Sequence, residues 1–251
     1  WNDPVNIGPP VSTNAWESSP SFAVDGKTLY FSADNKRGGF GAKDLWKTCL
    51  KDDSTWTEPE NLGNVINTKG SEIAPFIHPD NQSLYFSSDQ HIGMGGMDIF
   101  VSRKDSAGAW QEPVNLGYPI NTFRDEFGLI VNTQGQLAYY SAEKEDSRMK
   151  DIYSFQLPDN VRPDPVTYMK GKVYDAESKK PLEAVFEMIN LKSSEVTVKS
   201  KSDPGNGKYL VCIPVNNSYA FNVSKKGYVF YSENFSLDKM RQPGDPYIKD
   251  I

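Results

Sequence analysis

Apolar and polar residues follow one another in short runs along this chain, never in long helical stripes. Three runs, TLYFSA, SLYFSS and LAYYSA, carry aromatics at neighbouring positions, as strands buried between two layers do. Each is preceded by a second strand-like segment (SPSFAV, APFIHP or FGLIVN) and followed by a third (DLWKTC, DIFVSR or DIYSFQ). Asp25-Gly26, Asp80-Asn81 and Gln134-Gly135 lie between the first and second segments. Every copy thus keeps a Gly or Asn able to take the positive φ of a tight hairpin. A fourth segment recurs as WNDPVNIG, WTEPENLG and WQEPVNLG, starting at Trp1, Trp56 and Trp110, 55 and then 54 residues apart. With no apolar stripe of period 3.6 in the repeats, helical solenoids are excluded.

Four antiparallel strands per repeat predict an all-β fold built from β-propeller blades. Three copies fall short of the roughly 4–8 blades of such rings. Either Trp1–Gly8 closes the ring by pairing with Asp151–Leu157, or these blades belong to a larger ring with others upstream, which is the reading taken here. Trp1, Trp56 and Trp110 are expected to cover the interfaces between blades. Asp44, Asp98 and Asp151 recur once per blade and are expected to accept backbone hydrogen bonds at a strand entrance.

The repeat stops after residue 157. Residues 158–166, rich in Pro and Asp, read as a linker. Residues 167–251 hold six strand-like runs separated by KKPLE, DPGNG, NNS and KKG, and predict a small antiparallel β-sandwich.

Charge separates the two parts. The net charge of −6 divides into −9 over residues 1–165 and +3 over residues 166–251. An acidic first part argues against binding a phosphate backbone, so nucleic acid is not an expected partner. No apolar run reaches the length of a membrane span. Cys49 and Cys212 read as two buried thiols, with a disulfide left open by their spacing.

Two resemblances have residues behind them. Pro20, Phe22, Asp25, Gly26, Tyr30, Phe31, Ser32, Asp44 and Trp46 resemble the WD40-like repeat of TolB-type propellers. The second copy departs with Asn81 in place of the Gly, and the third lacks the Pro and the Asp before Gly135. Gly171–Asp175, Lys180-Pro181-Leu182, Asp203, Gly207-Lys208-Tyr209 and Lys226-Gly227-Tyr228 resemble a carboxypeptidase-regulatory-like domain. The order of the two, with the WxEPxNLG links, is similar to the periplasmic OmpA-family lipoproteins of Bacteroidota. That resemblance implies a periplasmic, outer-membrane-associated scaffold in an assembly such as the type IX secretion system. It implies outer-membrane secretion or barrel components as partners. Peptidoglycan would be reached only through a further, downstream domain.

Candidate chemistry is sparse. His78 and His91 read as surface or turn histidines, with no second His or Cys at metal-ligand spacing. Ser32, Ser87 and Ser141 recur with the blade, and no Gly-x-Ser-x-Gly elbow is present. No catalytic residue, metal or cofactor is expected. The Gly-rich loops NKRGGFGAK and QHIGMGGMD lack a phosphate-loop pattern. Within them Lys36, Arg37, Phe40, His91 and Met94 are the expected protein-contact face. The alternative is a glycan-binding or glycan-processing propeller, with aromatics stacking on sugars.

Overall fold

The three hairpin turns form with the expected backbone: φ is +68° at Gly26, +58° at Asn81 and +71° at Gly135. The structure, a computed structural model, describes residues 3–34, 37–52, 54–143, 149–194, 196–237 and 246–251. The chain divides into two units, Trp1–Ala23 with Lys27–Pro163, and Val24–Gly26 with Asp164–Ile251.

In the first unit the repeats fold as successive antiparallel sheets. The first runs in order β1 (Glu17–Phe22), β2 (Thr28–Asp34), β3 (Lys43–Cys49), β4 (Glu60–Asn61). The second runs β5 (Glu72–Ile77), β6 (Ser83–Ser88), β7 (Asp98–Arg103), β8 (Val114–Asn115). The third holds β9 (Glu126–Val131), β10 (Leu137–Glu143) and β11 (Lys150–Gln156). None closes on itself. β5 packs across β1, β2 and β3, and β9 packs across β5, β6 and β7, so the sheets stack face to face. Tyr30 and Leu45 of the first sheet meet Ile77, Leu84, Phe86 and Phe100 of the second in one core. Tyr85, Ile99 and Val101 then meet Leu129, Val131 and Ala138 of the third in another.

β11 has no strand on its outer side among the described residues, and Asp3–Gly8 form no strand. Closure through Trp1–Gly8 is therefore not seen. The chain after Gly8 is instead tied to the first sheet. Arg37 donates to the carbonyls of Pro10 (3.0 Å) and Val11 (2.6 Å), and Val11 packs on Leu29, Phe31 and Trp46.

The repeated polar residues act as clamps. β4 and β8 each pair with only two residues of their neighbour, which leaves the N–H of Leu45 and of Ile99 without a strand partner. A buried side-chain amide takes that place. Asn67 accepts from Leu45 N–H (2.8 Å) and donates to its carbonyl (3.0 Å), and Asn121 does the same at Ile99 (2.8 and 2.8 Å). Each also donates to the Asn of the preceding NLG turn, Asn61 or Asn115, at 2.8 Å. One residue further on, Thr68 and Thr122 donate through Oγ1 to Glu72 (2.7 Å) and Glu126 (2.5 Å), which open the next sheet. Thr13 and Glu17 repeat this pair at 2.5 Å.

Residues 158–163, expected as a linker, fold onto the first unit. Leu157 and Val161 are buried in its core, a 3₁₀ turn spans Asp159–Val161, and the Tyr85 hydroxyl donates to the Val161 carbonyl at 2.6 Å.

In the second unit β12 (Val166–Lys172) lies between β15 (Lys208–Pro214) and β18 (Tyr247–Ile248). A second sheet runs β14 (Val196–Lys201), β13 (Val185–Asn190), β16 (Ser218–Ser224), β17 (Tyr231–Ser236). Met169, Tyr209, Val211 and Ile213 of one sheet share a core with Phe186, Met188, Tyr219 and Phe221 of the other. β18 pairs parallel to β12, a departure from the all-antiparallel expectation. Cys49 is exposed and Cys212 half-buried, and both are free, so neither the two-buried-thiols reading nor the disulfide holds.

Replacing Asn67 by Ala leaves the Leu45 N–H buried and unpaired, an expected loss of about 1–3 kcal/mol in urea unfolding. Asp151→Ala, on the exposed edge, is expected to stay within about 0.5 kcal/mol of the parent.

Candidate interaction surface

In the first and second sheets, residues 37–42 and 89–97, between the second and third strands, lie with the loop entering the next sheet at one end of the stack. They touch closely because two glycines allow it. A Cβ on Gly41 would sit 2.3 Å from the Gly70 carbonyl oxygen and 2.4 Å from that of Thr68. One on Gly95 would sit 2.3–2.5 Å from backbone atoms of Phe123 and Thr122. Ala42 N–H then donates to Gly70 O (2.7 Å) and Gly96 N–H to Arg124 O (3.2 Å).

The repeated aspartates shape these loops. Asp44 accepts from the N–H groups of Phe40 (2.5 Å) and Gly41 (3.0 Å) and from Asn61 Nδ2 (2.7 Å). Asp98 accepts from Met94 N–H and, at 3.4 Å, from Gly95 N–H. Its other oxygen and Asn115 Nδ2 have no partner, unlike the pair in the first sheet. Asp151 is exposed on β11. Its place matches Asp44 and Asp98, but among the described residues no fourth strand with an Asn meets it.

Arg37 and His91 hold equivalent places seven residues before Asp44 and Asp98, and both point inward. Arg37 bonds the Pro10 and Val11 carbonyls, pairs with Glu17 at 3.1 Å and lies 5.6 and 5.7 Å from the ring centroids of Phe31 and Trp46. His91 Nε2 is 2.8 Å from the Ile66 carbonyl, with its ring against Phe86 and Phe100. Their expected place on a contact face is corrected: both anchor the chain segment before each sheet. Phe40 and Met94 are exposed, as expected. Lys36 and Trp1 lie outside the described residues.

The sequence reading missed Ile92 and Phe123, which are exposed at the same end, Ile92 to 97%. Their signal was position, since Ile92 lies in the same loop as Met94 and Phe123 follows the Thr clamp. Phe40, Ile92, Met94 and Phe123 make this end apolar, with Arg124 lying 5.1 Å from the Phe123 ring centroid.

His78 is not at the surface. It is fully buried, with Nδ1 accepting from Asp80 N–H at 3.2 Å and Nε2 3.1 Å from the Asn132 carbonyl. Trp56 and Trp110 are half-buried; Trp110 packs at the rim of the core between the first and second sheets, whereas Trp56 packs on the Val11, Leu29, Phe31 and Trp46 cluster of the first sheet, not between two sheets as expected. Trp56 lies edge-on to Phe22 and Trp110 edge-on to Tyr30, both at 6.4 Å. A cleft of about 320 Å³ beside Trp110 is lined by Tyr30, Lys47, Glu60 and Lys104. Among the described residues no group of three His, Cys, Asp or Glu is placed to hold a metal ion.

No protein-family model matches the chain, and no curated protein matches it. Among solved structures it is similar to an α-L-arabinofuranosidase from Lactobacillus brevis, over 96% of this chain and 79% of the other, with 14% identity and a TM-score of 0.41. A likeness of that degree transfers neither fold nor activity.

Burial raises the pKa of Glu72 and of Glu126 above 4.5, despite the hydrogen bonds from Thr68 and Thr122. The fold therefore holds these protons more tightly than the unfolded chain does, and their contribution to stability grows as the pH falls toward 4.5. Asp80 has the opposite sign. Burial opposes its ionisation, yet contacts with His78, Gln82 and Ser83 together hold it below 3.8, so its contribution is lost as the pH falls through the folded value. Urea midpoints measured at about pH 7 and pH 5 should show the parent gaining more on acidification than Glu72→Gln/Glu126→Gln. Equal gains would contradict the assignment.

Proposed function

We propose that this chain is a non-catalytic scaffold of the bacterial cell envelope. Its first unit is a set of propeller blades, and its second is a small β-sandwich. The observation that carries the reading is the contrast between the two kinds of residue at the loop end. Asp44, Asp98, Glu17, Glu72, Arg37 and His91 are engaged in internal bonds, whereas the side chains of Phe40, Ile92, Met94 and Phe123 are exposed, Phe123 with Arg124 beside its ring. An apolar end on a rigid stack suits docking of another protein better than chemistry on a small molecule. The sequence resemblance supports a periplasmic, outer-membrane-associated setting and partners among outer-membrane secretion or barrel components, as in a type IX secretion assembly.

Glycan binding is the second reading, and the half-buried Trp110 in its cleft favours it. Against it, Lys104 Nζ already lies 5.0 Å from the Trp110 ring centroid, where a sugar would stack.

The test is retention of proteins from detergent-solubilised envelope on the immobilised chain, read by mass spectrometry. The parent should enrich an outer-membrane barrel or secretion component, and Phe40→Ser/Ile92→Ser/Met94→Ser/Phe123→Ser should lose it by about tenfold or more. Equal retention by both would remove the loop end as the docking site. Retention of glycan fragments alone would favour the second reading.

A further inference from the structure

The hairpin that joins β16 to β17 in the sandwich ends in an apolar tip. Lys225, Lys226 and Gly227 turn the chain, with Tyr228 N–H donating to the Lys225 carbonyl at 3.1 Å and Gly227 supplying a φ of +88°. Tyr228, Val229 and Phe230 follow at 45%, 95% and 59% exposure. One exposed apolar side chain is ordinary, but three in succession on one loop mark an interaction site. Val229 and Phe230 take no part in the core of the sandwich, which the chain rejoins at Tyr231. The loop is braced from two sides. The Tyr228 hydroxyl donates to Asp175 Oδ2 at 3.0 Å, and Lys225 Nζ donates to the Glu183 carbonyl at 2.8 Å. Asp175 in turn shapes the neighbouring loop, accepting from the N–H groups of Glu177 (3.1 Å) and Ser178 (2.6 Å). That loop brings the exposed Lys179 and Lys180 to the same end.

We propose that this tip rests on an anionic lipid surface, with Val229 and Phe230 entering the boundary between headgroups and acyl chains. Shape and charge both favour that occupant. At 95% exposure Val229 stands clear of any groove, so what covers it must close around it, as a fluid lipid surface does and a rigid protein face does not. Tyr228, with an apolar ring and a hydroxyl held by Asp175, suits the level of the headgroups. Lys179, Lys180, Lys225 and Lys226 surround the tip, and their long stems let the ammonium groups reach phosphates while the apolar residues go deeper. Asp175, Glu177 and Glu183 share this end, but Asp175 is occupied by its own loop and by Tyr228, and Glu183 lies 3.8 Å from Lys201. Charge on the larger scale points the same way. Residues 166–251 carry +3 and residues 1–165 carry −9, so an anionic surface attracts the sandwich and repels the first part. The bracing of the loop means that contact orders little that is not already ordered. The inference goes beyond the scaffold reading and does not rest on it.

Sedimentation of the whole chain with vesicles tests it, using phosphatidylcholine alone and phosphatidylcholine mixed with phosphatidylglycerol. The parent should bind the mixed vesicles, and Val229→Asp/Phe230→Asp should lower that binding by about tenfold or more. Lys179→Gln/Lys180→Gln/Lys226→Gln should also lower it by about tenfold or more and bring the two kinds of vesicle closer together. All five positions are exposed, so neither set of changes touches the core. A polarity-sensitive fluorophore attached through Val229→Cys, in a Cys49→Ser/Cys212→Ser background, should shift to the blue on the mixed vesicles. No binding by the parent, equal binding by Val229→Asp/Phe230→Asp, or a fluorophore that stays in water would each overturn the proposal. Retention of an envelope protein that depends on Val229 and Phe230, without vesicle binding, would give the tip to a protein partner and overturn it too. Vesicle binding by a chain that retains no envelope protein would leave this proposal standing while the docking proposal fell.

Discussion

The stacking of the first unit depends on a side-chain amide that stands in for a strand residue. The fourth strands are two residues long and stop short of the start of their neighbours. Without Asn67 and Asn121, Leu45 and Ile99 would have buried, unpaired N–H groups at the point where each sheet meets the next. The amide pairs with the backbone of one sheet, and its sequence neighbour, Thr68 or Thr122, holds the Glu that opens the following sheet. A single stretch of chain thus ends one sheet, ties it off and sets the start of the next. The repeated NLGxxINTxxxE sequence is the record of that constraint.

This constraint also occupies the residues with chemical potential in internal bonds. Glu72, Glu126, Asp44 and Asp98 are buried acids, and Arg37 and His91 are partnered from inside. Each is oriented by groups one sheet or one turn away, so moving one to meet a substrate would undo a sheet junction. The solvent-facing residues at the loop end carry no such duty. A partner docked there, as proposed, would cost the fold little.

Much of the fold was legible in the sequence because turn chemistry and aromatic patterning are local. Asp25-Gly26, Asp80-Asn81 and Gln134-Gly135 announced their hairpins, and the clustered aromatics of β2 and β6 announced buried strands. Residues 158–163 of the expected linker pack on the first unit because composition hid one apolar residue, Val161, whose partners lie far along the chain. β18 was missed because a two-residue parallel strand has no periodicity to detect. At the candidate site, Phe40 and Met94 were found through loop composition. Arg37 and His91 were misplaced because a basic or aromatic residue in a Gly-rich loop looks exposed until its carbonyl partner is known. The Thr–Glu pairs were visible as a fixed spacing, but only the fold gives that spacing a meaning.

Hydrogen exchange at the two clamped amides tests the central claim most directly. In Asn121→Ala the Ile99 amide should lose protection by about tenfold or more while the Leu45 amide, still held by Asn67, keeps its own. Unchanged protection at Ile99 would contradict the account, because the side-chain amide would then not be what holds the sheets in series.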